Sequence, residues 1–327
     1  MKVLFVKLSS LGDVIQTIPV VADLKQAFPD VVIDWVVEEA FAPLLERVDG
    51  LRRVLPMAGR RWRKTRWSTQ TKFEHKAFIA SLQSESYDAV IDFQGLIKSA
   101  LVARQACLAP GGFRATYANA SEACGYEWPV RWMLDRLVPM PRRIHAVARY
   151  RALAAGALSY SHTGRSVYPL AFPEKLGATA FDKTVVFAHG TTRPDNEWAR
   201  AHWLGLGQRL VGQGYRIGLP QAGGEELALA QGLADALGPQ AEVWPKLSLA
   251  QVLDRMAGSL GVVGVDSGLS HMAVALDLPH VQIFSQPRAW RAGPVDCAWQ
   301  LAVGGEAAPD VDTVWQAWQS VVAAKSS

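Results

Sequence analysis

Two glycine-turned loops, each following a short apolar run, gather the residues best suited to chemistry. The first is Lys7-Leu8-Ser9-Ser10-Leu11-Gly12-Asp13, after Val3–Val6; the second is Val265-Asp266-Ser267-Gly268-Leu269-Ser270-His271. A loop that turns strand into helix presents backbone N–H groups and the positive end of a helix dipole, which together hold an anion. Asp13 reads in two ways. At a helix start an Asp is a cap, accepting a backbone N–H and worth about 1 kcal/mol. At a crevice between lobes the same carboxylate takes a proton from an incoming hydroxyl. Ser9 and Ser10 would then hydrogen-bond the acceptor, and Lys7 would add positive charge. In the second loop the N–H groups of Ser267, Gly268 and Leu269 suit a diphosphate, Asp266 a sugar hydroxyl, and His271 a phosphate or hydroxyl. The plainer alternative is an ordinary capped turn with a structural histidine.

Three further segments carry charge or small polar groups. His189-Gly190-Thr191-Thr192-Arg193-Pro194-Asp195-Asn196-Glu197-Trp198 follows an apolar strand. Its glycine and threonines make a phosphate cradle or a common polar loop, and Arg193 supplies a fixed cation. Glu226, after Gly223-Gly224, is either a ribose acceptor or a solvated glutamate at a helix start. Arg60-Arg61-Trp62-Arg63-Lys64-Thr65-Arg66-Trp67 reads as a basic loop that attracts phosphates, carboxylates or an anionic membrane face.

These residues need a scaffold, and the pattern is α/β. Short apolar runs alternate with helical stretches, as parallel sheets with crossover helices require. Strands are expected near Val3–Val6, Val31–Val37, Ala89–Asp92, Thr184–Ala188, Tyr215–Leu219, Glu242–Trp244, Gly261–Val265 and Val281–Ser285. Helices should follow Gly12, with a kink at Pro19, cover Lys72–Glu85 and begin near Gln94. In the second half they should occupy His202–Gln213, Glu225–Leu237, Leu249–Ala257, Ser270–Leu276 and Val311–Ala323. The break near Ser159–Lys183, with Pro169 and Pro173, separates two domains, 1–165 and 166–327, and the final helix can pack across either.

Composition narrows the function classes. The 327 residues suffice for two cores, and half are hydrophobic, which argues against disorder. The 3 cysteines form no CxxC pair, so neither a disulfide framework nor a zinc site is indicated. Polar residues arrive too early for a signal-peptide core, and no apolar run spans a bilayer, so a soluble, cytoplasmic chain is expected. No GxGxxG follows the first strand, and Walker, GxSxG and HExxH patterns are missing.

Taken together, the segments resemble the ADP-heptose:lipopolysaccharide heptosyltransferases, glycosyltransferase family 9. The resemblance is carried by Val6–Val14, Asp34-Trp35-Val36-Val37-Glu38-Glu39, the Arg60–Lys64 block, Tyr87–Ser99, His189–Trp198 and Val265–His271. It implies a GT-B fold, two Rossmann-like domains facing an interdomain cleft. It also implies transfer of L-glycero-D-manno-heptose from ADP-heptose to the Kdo of the lipid A inner core, with inversion, no metal and no cofactor. Asp13 would be the base. Thr191, Thr192, Arg193, Asn196, Glu226, Asp266, Ser267, Gly268, Leu269 and His271 would hold the donor. Ser9, Ser10, Arg60, Arg61, Arg63, Lys64 and Lys98 would hold the acceptor. A peripheral contact with the cytoplasmic face of the inner membrane follows from a lipid acceptor. One departure stands out: Asn196 occupies the place where the family carries a lysine against the donor diphosphate, and Arg193 is the candidate substitute. The rival readings are another GT-B nucleotide-sugar transferase, a weakly active homologue, and a nucleic-acid-binding module built on the basic block, although no nucleic acid is expected as a partner.

Overall fold

The computed structural model describes residues 1–172 and 183–326. Pro173, part of the expected break, lies outside the described residues. The chain divides into two units, Met1–Ala171 and Phe172–Ser327.

The first unit holds β1 (Lys2–Val6), β2 (Val32–Glu38), β3 (Leu51–Met57), β4 (Ser86–Asp92), β5 (Cys107–Tyr117) and β6 (Arg136–Val138). Its helices are α1 (Leu11–Thr17), α2 (Pro19–Ala27), α3 (Ala42–Leu45), α4 (Gly59–Lys64), α5 (Thr69–Leu82), α6 (Ile97–Gln105) and α7 (Ala146–Leu158). The second unit holds β7 (Thr184–Ala188), β8 (Arg216–Leu219), β9 (Ala241–Val243), β10 (Gly261–Val265), β11 (His280–Phe284) and β12 (Gln300–Gly304). Its helices are α8 (Arg200–Gly212), α9 (Gly224–Leu237), α10 (Leu249–Ala257), α11 (Gly268–Ala275), α12 (Ala289–Ala292) and α13 (Val311–Ser326).

Each unit is built on a parallel six-stranded sheet, ordered β3-β2-β1-β4-β5-β6 in the first and β12-β11-β10-β7-β8-β9 in the second. Counted within its own unit, each sheet has the order 3-2-1-4-5-6. The order therefore reverses between β1 and β4, and again between β7 and β10. Ligands of open α/β sheets bind at such reversals, beyond the carboxyl ends of the strands. The central strands are apolar throughout because helices cover both faces: Val3 to Val6 and Val262, Val263 and Val265 are fully buried.

The expected kink at Pro19 is a break. Ile18 ends α1, and Pro19 opens α2 at its first position, where a missing N–H costs nothing. The basic block, read as a loop, is helical: Arg60 to Lys64 lie on α4. The closing helix α13 packs Val314, Trp318 and Val321 into the second unit's core. No helix among the described residues is long and apolar enough to cross a membrane.

Candidate active site

At the first reversal, the loop after β1 meets the loop after β4. Ser9 N–H donates to Gln94 Oε1 at 3.1 Å. Asp13, the third residue of α1, has both carboxylate oxygens engaged. Oδ2 accepts from Ser10 N (3.1 Å) and Ser10 Oγ (2.8 Å), while Oδ1 accepts from the Tyr150 hydroxyl at 2.8 Å. Lys7, buried just below, donates to that hydroxyl at 3.1 Å and to the Phe93 carbonyl at 3.3 Å. Asp92 closes the floor. Its Oδ1 accepts from the N–H groups of Gln94 and Gly95, and its Oδ2 is buried with no hydrogen-bond partner. Burial pushes the Asp92 carboxyl up to about 6, although Ser99, the two N–H groups and the charge of Lys7 pull the other way.

At the second reversal, the loops after β7, β10 and β11 converge. Asp266 Oδ1 accepts from Gln282 Nε2 at 3.2 Å and stands 3.6 Å from His271 Nε2. Asn196 is buried, and its amide donates to the Asp266 carbonyl (3.3 Å) and Oδ2 (3.4 Å). Burial pushes the Asp266 carboxyl up, but His271, Arg291 and Arg193 outweigh it and hold the group below its ordinary value. The loops after β7 and β11 are tied again where Ser285 Oγ donates to the Glu197 carbonyl and Arg288 approaches Asp195 at 3.5 Å.

Beside this cluster α11 begins at Gly268, with Leu269 next. Its cap residue Ser267 makes no side-chain capping bond, and no acid lies in its first turn. The Ser267 hydroxyl is buried with no partner. Glu226, at the start of α9, lies directly against Gly190: a Cβ there would overlap the Glu226 carboxylate. Burial raises the Glu226 carboxyl, only partly offset by the Ala222 N–H that donates to it at 2.8 Å. Thr191 is half-buried; Thr192 and Arg193 are exposed, and Arg193 pairs with Asp195 at 3.1 Å.

The profile of glycosyltransferase family 9 (heptosyltransferase) matches residues 75–310. Lipopolysaccharide heptosyltransferase 1 of Escherichia coli K12 is 41% identical over 288 residues, covering 87% of this chain and 88% of the relative. The solved E. coli heptosyltransferase WaaC with ADP superposes with a TM-score of 0.86 at 35% identity, covering 98% of this chain and 100% of that one. The same enzyme with ADP-2-deoxy-2-fluoro heptose gives 0.79 at 36% identity, with 100% and 98% covered. The chain belongs to glycosyltransferase family 9. It is an enzyme with the GT-B fold, two Rossmann-like units.

Family membership leaves each expected residue to be located individually. Asn196 is no cation: its amide serves Asp266. Arg61, expected to meet the acceptor, pairs instead with Glu39 (2.9 Å) and Glu74 (2.7 Å), which fixes α4 to its neighbours. Arg60, Arg63, Lys64 and Lys98 are exposed. Arg60 and Lys98 both act on Glu38 at the end of β2, whose carboxyl burial nevertheless raises. Three participants at these reversals carried no sequence signal: Tyr150, Gln282 and Arg288. Asp92 was marked only by its position at the end of an expected strand, within the Tyr87–Ser99 segment. Among the described residues, no cluster of three or more His, Cys, Asp or Glu is placed to hold a metal.

Proposed function

We propose that the chain transfers heptose from ADP-heptose to the Kdo sugar of a lipid A acceptor, with inversion at the anomeric carbon. Asp13 is the base. A carboxylate is a weak base, so its contribution depends on position and on oxocarbenium character at the sugar carbon, which acidifies the attacking hydroxyl. Ser9 and Ser10 flank it. The donor diphosphate sits at the N–H groups of Ser267, Gly268 and Leu269, where the helix end takes up the charge of the departing phosphate. Thr191, Thr192, Arg193 and His271 complete that seat, Asn196 orients Asp266, and Glu226 and Asp266 bind hydroxyls of the donor. Solved relatives holding ADP and a fluorinated ADP-heptose support the donor.

One observation carries the reading: the start of α11 is an uncapped helix terminus with an unpartnered hydroxyl, beside an ionised aspartate. The test is direct. Incubation with ADP-heptose and delipidated Kdo acceptor should yield a product heavier by one heptose, and EDTA should leave the rate unchanged. Folded protein that binds ADP yet forms no such product would overturn it.

The acceptor is lipidic, so the reading includes a peripheral contact with the inner membrane's cytoplasmic face. Support comes from one face of the first unit. α4, α5, α6 and the turn Trp128–Trp132 pack on a single core cluster. Outward these elements and the link between α4 and α5 expose Trp67, Phe73, Ile97, Leu101, Trp128 and Trp132 among Arg63, Lys64, Arg66 and Arg131. Indoles with cations suit a headgroup layer. Sedimentation with anionic vesicles should weaken as salt rises, and binding indifferent to both lipid charge and salt would remove this part of the reading.

A further inference from the structure

Tyr150 belongs to no motif, yet it makes the bond that fixes Asp13 from the side opposite its own loop. It lies on α7, 137 residues along the chain from Asp13, and is 2% exposed. The direction of its hydrogen bonds is determined. An ammonium has donors and no acceptor, so the 3.1 Å contact with Lys7 runs from Nζ to the phenol oxygen. The single phenol proton is then committed to Asp13 Oδ1, at 2.8 Å. The ring is held in place by an edge-on contact with Phe93, centroids 6.3 Å apart, and by Lys7 Nζ, 4.7 Å from its own centroid.

The result is a relay, Lys7 to Tyr150 to Asp13, that delivers the polarisation of a buried cation to one oxygen of the carboxylate. Ser10 N–H and Oγ, from the loop that leads into α1, hold the other oxygen, so the carboxylate cannot rotate without also breaking the bond from α7. We propose that Tyr150 is a positioning residue for the transfer reaction: it fixes the rotation of the Asp13 carboxylate so that a remaining lone pair meets the acceptor hydroxyl. This inference rests on Asp13 being the base. A hydrogen bond to a charged group of one unit contributes little to binding a nucleotide seated on the other but much to the geometry of proton transfer. Its loss therefore appears in turnover and not in donor affinity.

Tyr150→Phe keeps the ring and removes only the hydroxyl. We expect kcat to fall on the order of ten- to hundredfold, with KM for ADP-heptose and Kd for ADP within about twofold of the parent. Because Lys7 then loses an acceptor, a Lys7→Met/Tyr150→Phe pair, which removes the buried cation as well, carries the same measurement if the single variant does not fold. Unchanged kcat overturns the inference. So does a parallel loss of ADP affinity, which marks a merely structural role. Asp13→Ala, assayed alongside, separates the two claims. If it turns over normally, the base reading fails and takes this inference with it; if it is inactive while Tyr150→Phe is normal, this inference alone fails.

Discussion

The two sheet reversals share one topology and differ at the third residue of the helix that follows. In α1 that residue is Asp13, which accepts the Ser10 N–H and hydroxyl and so sets a carboxylate at the helix start. In α11 it is Ser270, whose hydroxyl turns back to the Val265 carbonyl at 2.6 Å and leaves the terminus open. An incoming anion would meet a carboxylate at the first terminus and free N–H groups at the second. The same strand–turn–helix unit thus yields an oriented base in one place and an anion seat in the other.

The largest effect expected from breaking this comparison is at Asp13. Replacement by Ala removes the base and opens the α1 terminus, making it resemble α11. Turnover should fall by roughly 10³, while ADP affinity, which belongs to the other unit, stays near that of the parent. Steady-state kinetics with calorimetry of ADP binding checks both halves. A matching loss in ADP affinity would show that the two reversals are not independent.

A second test concerns the floor beneath the first reversal. Asp92 has a folded-state pKa of about 6 against an ordinary value of 3.8. Between those values the folded protein holds a proton that the unfolded chain has released, so stability falls as pH rises through that window. The fall is about 3 kcal/mol at most, from about 1.4 kcal/mol per pKa unit. Asp92→Asn keeps an oxygen for the Gln94 and Gly95 N–H groups and has no charge to bury. Its melting temperature should lose less than the parent's between pH 4 and 6.5, and parallel melting curves would refute the assignment.

How much of this was legible follows the physics of each segment. β7 and β10 were read to the residue because a central parallel strand is an uninterrupted apolar run. β3 was missed: Leu51-Arg52-Arg53-Val54-Leu55-Pro56-Met57 is an edge strand, where two arginines and a proline are tolerated. Those arginines grip the buried Asp34, a long-range pairing that no local pattern announces. β5 was missed because Pro110-Gly111-Gly112 reads as a turn, and the register shift opposite β4 shows how the sheet absorbs it. At the two reversals, local spacing marked Asp13 and Asp266, since each belongs to a strand–turn–helix segment. It was silent on Tyr150, Gln282 and Arg288, which arrive from other elements. For Asp13 the capping reading is visible in the hydrogen bonds, and the base remains the proposal.

A smaller effect sharpens the second reversal. Gly190 lies where any Cβ would overlap the Glu226 carboxylate. Gly190→Ala must displace Glu226, so ADP-heptose affinity should drop on the order of tenfold or more, the scale of one lost charge-assisted bond. The fold should persist, since the loop is at the surface. Unaltered affinity would remove Glu226 from the donor seat.

The smallest effect concerns the missing lysine. Arg193 is half exposed, with 49% of its side chain accessible, and it shares Asp195 with Arg288. Such a cation is screened and partly neutralised, so it offsets diphosphate charge less than a buried one. Arg193→Ala should therefore lower kcat/KM for the donor only several-fold to tenfold, about 1 kcal/mol. If Arg193 replaces the family lysine, Asn196→Lys in the Arg193→Ala background should restore the lost rate. The same change in the parent should do little, because a cation is already supplied and the Asn196 bonds to Asp266 are given up. Failure of Asn196→Lys to restore activity in a variant that still binds ADP would separate the two positions. The α11 terminus, with Arg288, would then be left to hold the departing phosphate.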